Sequence, residues 1–350
     1  MIFWSDPLGF WGRVGRGAFF LPSLAYEGIF TVRRWAYKNG VLETVRVPPP
    51  VFCVGNLTVG GSGKTPGVIW LVQELLRQGH RPAVVSRGYG RKSQDPVIVV
   101  PAGAVLPSAE DIGDEPRLLL RRLGVPLAVA SDRALAAERV WRECRPDCLV
   151  MDDGFQHHRL HRDLNFLCMD ARLAFQVFME KHPTPLLPAG PWREKPVVQG
   201  NLLFLTRAER LEKGPFEDLK KRLEKDGFHP VAVTGRLSFS LASGEPLAVD
   251  ELRGGRVLAL SGVGDPVSFE QSLTRLGLEV APARFQDHHW FSLSEIERVL
   301  AQAHREGRRL IVTEKDRERL PDDFPGIVTH LNWDVDQEAL WKPVIASVFS

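Results

Sequence analysis

Residues 54–65, Val54-Gly55-Asn56-Leu57-Thr58-Val59-Gly60-Gly61-Ser62-Gly63-Lys64-Thr65, constrain the fold more than any other stretch of this 350-residue chain. An apolar run, VFCVGN (51–56), leads into the glycines, and a helix-period segment over about 65–79 leaves them. A strand that turns through glycines into a helix offers backbone N–H groups and a positive helix end to an anion. Gly60, Gly61 and Gly63 let the backbone curl inward without a Cβ clash. Lys64 supplies a point charge for phosphate oxygens, and Thr65 a hydroxyl for Mg²⁺. Thr58 stands where the general G-x4-G-K-[ST] pattern has glycine. The strand context and the GGSGKT core still make Thr58 to Thr65, with Val59 and Ser62 among them, a phosphate-binding loop.

The same alternation continues downstream. PAVVSRG (82–88), PVIVV (96–100), PLAVA (126–130), CLVMDD (148–153), LNFLCMD (164–170) and NLLFLT (201–206) read as short buried strands. Helical patterns over 115–123 and 132–143 lie between them, so a parallel sheet covered on both faces is expected. The rhythm breaks near 231–250, where alternating VAVTGRLSFSLASGEPLAV suits a two-stranded hairpin or linker. It restarts with RVLALSGVG (256–264), helices near 266–276 and 293–306, and RRLIVTEKD (308–316). The expected fold class is α/β: a P-loop NTPase-like parallel-sheet domain over 36–235 and a smaller α/β domain over 236–350, joined by a two-stranded linker. PTPLLPAGPWREKP (183–196) is proline-rich and reads as loop.

Lys and Arg together number 45 against 43 Asp and Glu, so no excess of positive charge calls for nucleic acid. Cys53 and Cys168 sit in strand-like runs, and the C-x3-C pair Cys144 and Cys148 has no second pair to complete a zinc site. A cytosolic chain with free thiols is expected. Residues 1–35 interleave Trp4, Phe10, Trp11, Phe19, Phe20, Tyr26, Phe30 and Trp35 with Arg13, Arg16, Arg33 and Arg34. The longest uncharged run there, Gly17 to Tyr26, is ten residues with Pro22 inside. That is too short to span a bilayer, which takes about 20 apolar residues. A helix lying in a membrane interface and an amphipathic helix packed on the protein's own core both fit.

A P-loop needs an acidic partner for its metal at the end of a neighbouring strand. Asp152-Asp153, closing CLVMDD before Gly154, supplies it; a turn-capping role is the alternative. His157, His158 and His161 form a cluster with no matching carboxylate for metal ligation. Glu110, Asp111, Asp114 and Glu115 suit a solvated helix start, and Asp287-His288-His289 an acid–base pair. Arg87 and Arg91 of SRGYGR (86–91) follow a strand end and face either an anion or a turn. A soluble ATPase or GTPase switch, or a metallochaperone, is the competing class. Val59 replaces the signature lysine of partition-type ATPases, and TEKD (313–316) lacks the leading Asn of a base-specificity motif.

VGNLTVGGSGKTP (54–66), SRGYGR (86–91), GDEP (113–116), DDGFQHHRLHRDLN (152–165), PAGPWREKP (188–196), FQDHH (285–289) and TEKD (313–316) occur in this order. The set closely resembles the tetraacyldisaccharide 4′-kinases of lipid A biosynthesis, over most of the chain. Thr58 fits the family form of the loop, TVGG. The resemblance implies transfer of the ATP γ-phosphate to the 4′-hydroxyl of a tetraacylated glucosamine disaccharide 1-phosphate, with Mg²⁺. It also implies a peripheral, interfacial position of the N-terminal region on the cytoplasmic face of the inner membrane. The chain is expected to act as a monomer. By the same resemblance Asp114 is the general base, His288 its partner beside Asp287, and Tyr89 lines the substrate side with Arg87 nearby. Asp152 and Asp153 approach the metal, and Arg193 and Glu194 lie near the nucleotide or the lipid headgroup.

Overall fold

The computed structural model describes residues 10–195 and 202–349. Trp4, Pro196 and Asn201, each part of an expectation above, lie outside the described residues. So do the side chains of Phe10, Trp11, Arg13 and Arg16.

The chain opens with a long helix, α1 (Phe10–Lys38), followed by β1 (Val51–Gly55) and α2 (Lys64–Arg77). Every residue of β1 is buried, as a strand covered on both faces requires. Next come β2 (Pro82–Ser86), β3 (Val97–Val100), α3 (Ala109–Ile112), α4 (Asp114–Leu123), β4 (Leu127–Ala130) and α5 (Arg133–Cys144). They are followed by β5 (Cys148–Asp152), β6 (Leu164–Asp170), α6 (Ala171–Phe178), β7 (Leu202–Thr206) and α7 (Lys213–Lys225). The remainder holds β8 (His229–Leu241), β9 (Pro246–Leu247), β10 (Arg256–Ser261), α8 (Pro266–Arg275), β11 (Glu279–Arg284) and α9 (Leu293–Arg305). The last elements are β12 (Arg309–Thr313), α10 (Glu314–Arg317), β13 (Ile327–Val335) and α11 (Glu338–Ala346).

Among the described residues these strands form one mixed sheet in the order β11-β10-β12-β13-β8-β7-β6-β1-β5-β2-β4-β3, with β9 beside β8. β8 and β13 decide how the site is built. The first half of β8 pairs in parallel with β7, from Leu202↔His229 to Thr206↔Val233. From Val233 onward β8 pairs antiparallel with β13, out to Leu241↔Ile327. β12 joins only that distal end, at Ile311↔Ile327 to Thr313↔Thr329. The antiparallel pairing reverses the strand direction. The carboxyl ends of β10 and β12 therefore face back toward those of β1, β2 and β5 across a cleft. In open α/β sheets ligands gather at such carboxyl ends; here two sets meet.

Two sequence expectations change in detail. The hairpin within 231–250 is only the short pairing Phe239↔Leu247 and Ser240↔Pro246; the main partner of β8 is β13. Alternation in 231–241 marks a strand but not its partner, because a distant strand satisfies the same backbone groups equally well. Residues 338–349, expected within the smaller 236–350 unit, return to the P-loop side. There Trp341 and Ile345 of α11 join Phe52, Trp70, Phe166 and Phe204 in one core, and Trp341 meets Trp70 edge-on at 4.9 Å.

Candidate active site

β1 delivers the chain to the glycine turn. Gly60 and Gly63 adopt φ of +108° and +86°, a left-handed region that costs glycine little. Asn56 Nδ2 donates to Ser62 Oγ at 2.7 Å and Thr206 Oγ1 to the Ser62 carbonyl at 3.4 Å, closing the loop from inside. The Val59 N–H donates to the Pro191 carbonyl (2.8 Å) and the Arg193 N–H to the Leu57 carbonyl (2.7 Å). The proline-rich loop is thus strapped along the outer edge of the glycine loop. No side chain caps α2, which begins at Lys64, so its first turn is left for an anion. Behind the loop lies the Trp333 ring of β13. A Cβ at Gly63 or Gly67 would come within 3.0 or 2.8 Å of it.

The β1–β5 register sets Val54 beside Asp152, so the acidic pair emerges next to the loop. Asp152 is buried and accepts from Ser86 Oγ at 3.0 Å. Burial, with the charges of Glu115 and Asp153, pushes its carboxyl up to about 7. Asp153 accepts from Arg193 Nη1 at 3.0 Å and lies 3.8 Å from Lys64 Nζ. Among the described residues no group of three or more acidic, His or Cys side chains is gathered to hold a metal. Mg²⁺ needs none: it is commonly held by one or two carboxylates, waters and substrate phosphates. A buried carboxylate lifted by two neighbouring acids fits a cation arriving with phosphate, and Thr65 at the start of α2 suits the same ion.

On the P-loop side Gly113 (φ +98°) turns the chain so that Asp114 opens α4, which packs in the same core as α2. Asp114 is buried; its Oδ1 accepts from the Glu115 N–H at 2.9 Å, and its Oδ2 lies 3.0 Å from His288 Nδ1. Burial pushes this carboxyl up, but His288, Lys315 and Arg319 outweigh it and hold it below its ordinary value. His288 has φ +60°, and its N–H donates to the Gly262 carbonyl at 3.1 Å. Arg319 and Asp316 brace that turn: Asp316 Oδ1 accepts from the Gly262 N–H (2.9 Å) and from Arg319 Nη2 (2.7 Å). The Tyr89 ring meets His288 edge-on at 5.6 Å. Asp287 stays outside this pair, 3.9 Å from His288 Nε2, while His289 turns away to Glu295 at 3.1 Å.

A model of the family Tetraacyldisaccharide-1-P 4′-kinase matches residues 18–348. The chain belongs to this family. A tetraacyldisaccharide 4′-kinase of Anaeromyxobacter sp. (strain K) is 40% identical over 331 residues, 91% of this chain and 85% of the relative. One from Shewanella woodyi is 36% identical over 301 residues, 86% of this chain and 80% of the relative. Among solved structures, the chain is similar to the "apo" form of LpxK from Aquifex aeolicus in complex with ATP. The TM-score is 0.75 at 30% identity, over 96% of this chain and 99% of that one.

Further buried polar side chains lie around the glycine loop and the acidic pair. Arg133, at the start of α5, is buried with its Nε unpaired; burial and Arg87 lower its pKa, while Asp152 and Asp153 oppose them. His157 and His158 are pulled down to about 4 by burial and by arginines including Arg33 and Arg162, so both are neutral. Glu194 is buried and raised by burial, with Oε1 unpaired. α1 borders this region. Its Ser23 hydroxyl donates to the Leu186 carbonyl at 2.9 Å, and its Glu27 pairs with Lys195. Along α1 Phe19, Phe20, Leu21, Leu24, Ile29, Val32 and Trp35 are exposed, with Leu21, Leu24, Ile29, Val32 and Trp35 on the side away from Ser23. No described helix is long and apolar enough to cross a membrane.

The sequence marks Glu115 only as part of an acidic run and carries no local sign of Lys315, Arg319, Arg133 or Trp333 as site residues. GDEP and TEKD contain Glu115 and Lys315, but nothing local says that α4 and α10 touch. Lys315 Nζ reaches Glu115 at 3.1 Å, and Glu318 pairs with Arg117 at 2.9 Å. Arg122 Nη1 reaches Glu314 at 2.5 Å. Trp333 lies in a stretch with no motif at all.

Proposed function

We propose that this chain transfers the γ-phosphate of ATP to the 4′-hydroxyl of a tetraacylated glucosamine disaccharide 1-phosphate, using Mg²⁺, at a membrane surface. The observation that carries it is the meeting of two half-sites in one cleft. The P-loop and Asp152-Asp153 stand on one wall, with Glu115 near enough to raise Asp152. Asp114 stands beside Glu115 on that same wall, and His288 reaches it from the other.

The loop N–H groups and Lys64 bind the triphosphate, and Arg193 orients Asp153 beside Lys64. Thr65, Asp152 and Asp153 would hold Mg²⁺, which would supply neutralisation of phosphate charge there. Asp114 accepts the proton of the 4′-hydroxyl as its oxygen bonds to the γ-phosphorus and the bond to the bridging oxygen breaks, releasing ADP. Its lowered pKa leaves it ionised at neutral pH, and activity falls as acid protonates it. Arg87 and the unpaired Nε of buried Arg133 suit the acceptor's own phosphate, and exposed Tyr89 suits its sugar. Glu194 lies where the 186–195 loop meets α1, on the headgroup side. The apolar face of α1 enters the interface from the cytoplasmic side of the inner membrane, where ATP is supplied. The chain acts there as a monomer, and its two units close on the nucleotide.

Purified protein is incubated with radiolabelled ATP and the acylated disaccharide monophosphate in mixed micelles. Label on the distal sugar of a bisphosphorylated lipid is expected. ATP turnover that ignores the lipid, with no labelled glycolipid, would overturn the reading in favour of a soluble ATPase.

A further inference from the structure

Lys315, at the second position of α10, has no part in the steps above. Its half-buried ammonium lies 3.1 Å from Glu115 Oε1 and 3.2 Å from His288 Nε2. An ammonium has three donors and no acceptor. Burial lowers the pKa of Lys315, yet Glu115, Asp114 and Asp287 carry it above its ordinary value, so the charge stays. His288 Nε2 must then present its lone pair to Lys315. The ring proton sits on Nδ1, 3.0 Å from Asp114 Oδ2.

We propose that Lys315 is a positioning residue that holds His288 as the neutral Nδ1–H tautomer, so that His288 donates to Asp114 without adding charge to it. The inference rests on reading Asp114 as the base. The nearer groups around His288 agree with it, and the Asp287 carboxylate, which would favour a proton on Nε2, lies farther off than Lys315. Asp114 faces Nδ1 from α4, with Arg319 3.5 Å behind its carboxylate. Lys315 faces Nε2 from α10, backed by Glu115. Tyr89 meets the ring edge, and Asp287 stands off at 3.9 Å. A second ring proton would point from Nε2 at an ammonium, which disfavours the imidazolium. The distinction matters for a base. A neutral N–H fixes the carboxylate's orientation, whereas an imidazolium would also make it a poorer proton acceptor. The Glu115 N–H on Oδ1 and His288 on Oδ2 hold the carboxylate in one orientation.

The tautomer is read directly from two-bond nitrogen–proton correlation spectra of the full chain labelled in histidine nitrogens. The His288 signal is assigned by its loss in His288→Asn. Expected at neutral pH is a neutral ring protonated at Nδ1, with imidazolium or the Nε2–H tautomer appearing in Lys315→Met. Kinetically, Lys315→Met should lower kcat roughly 10- to 100-fold, the scale of a lost hydrogen bond to a charged group, with KM for ATP within about twofold. It should also move the acid limb of the kcat profile to higher pH, because Lys315 no longer helps to hold the Asp114 carboxyl below its ordinary value. In His288→Asn, where the amide still donates to Asp114, adding Lys315→Met should cost much less. A wild-type ring that is charged or protonated at Nε2 would overturn the proposal, and so would a tautomer and pH profile unmoved by Lys315→Met. If Asp114→Asn turned over normally, the base reading would fall, while the wild-type spectrum would still judge Lys315.

Discussion

Asp152→Asn should make the protein more stable and inactive. Asp152 is 3% exposed, and its side chain accepts a hydrogen bond from Ser86 Oγ, which an amide oxygen accepts equally well. The folded state raises its pKa to about 7, against about 3.9 for an unfolded Asp. Between these values the folded chain binds the extra proton, so stability falls as pH rises and the loss is complete above pH 7. The gap of about three pH units corresponds to at most about 4 kcal/mol. Removing the charge also withdraws one partner from Lys64, which keeps Asp153 at 3.8 Å, so a net gain of about 1–4 kcal/mol is expected at pH 8. The assay is urea unfolding in the presence of a chelator, at half-unit steps from pH 4 to pH 8. The advantage of Asp152→Asn should shrink as pH falls and vanish near pH 4. An advantage independent of pH, or a variant less stable than wild type at pH 8, would refute the reasoning. Added Mg²⁺ should narrow the gap by stabilising the wild type alone.

Three further outcomes follow from the same geometry. Asp114→Ala should lower kcat by about 10²–10⁴-fold, as expected for loss of a general base, and should also lower the unfolding midpoint at neutral pH, since its partners hold the carboxyl below its ordinary value; near-normal turnover would remove it from the mechanism. Gly67→Ala sets a Cβ 2.8 Å from the Trp333 ring and should destabilise by about 1–3 kcal/mol in urea, despite the helix preference for alanine. Pairing it with Trp333→Leu should recover much of that loss, and an unshifted midpoint in the single variant would discount the contact. Leu21→Glu and Ile29→Glu lie on the exposed apolar face of α1 and should each weaken partition into vesicles by about 10- to 100-fold, from about 1.5–3 kcal/mol of lost side-chain burial. Unchanged partition would assign that face another role.

The two halves of the cleft were not equally legible. The P-loop is a local device: strand, turn and helix are contiguous, so glycine spacing around Lys64 states its geometry. The strands at 82–86, 127–130, 148–152 and 164–170 were readable for the same reason, since each is a short apolar run bounded by breakers. β11, β13 and α11 were not, because their mixed sequences become strand or helix only against partners far away in the chain. The site followed the same division. Asp114 and His288 were named through ordered motifs resembling a family, not through any pairing visible in their spacing. Lys315, Arg133 and Trp333 escaped notice because a lone Lys, Arg or Trp has no meaning until its neighbours are known.

The sequence by itself determined that a phosphate-binding loop opens the chain's parallel sheet, since glycine conformational freedom and strand burial act over a dozen residues. TVGGSGKT needs nothing remote to form its turn. Only the tertiary structure decided what that loop faces. The antiparallel meeting of β8 and β13 reverses the strand direction and turns two sets of carboxyl ends toward each other. That reversal brings Lys315 of α10 against Glu115 of α4 and His288 against Asp114, contacts across 200 and 174 residues. Pairings over such distances are fixed by sheet register and packing, which no local pattern encodes.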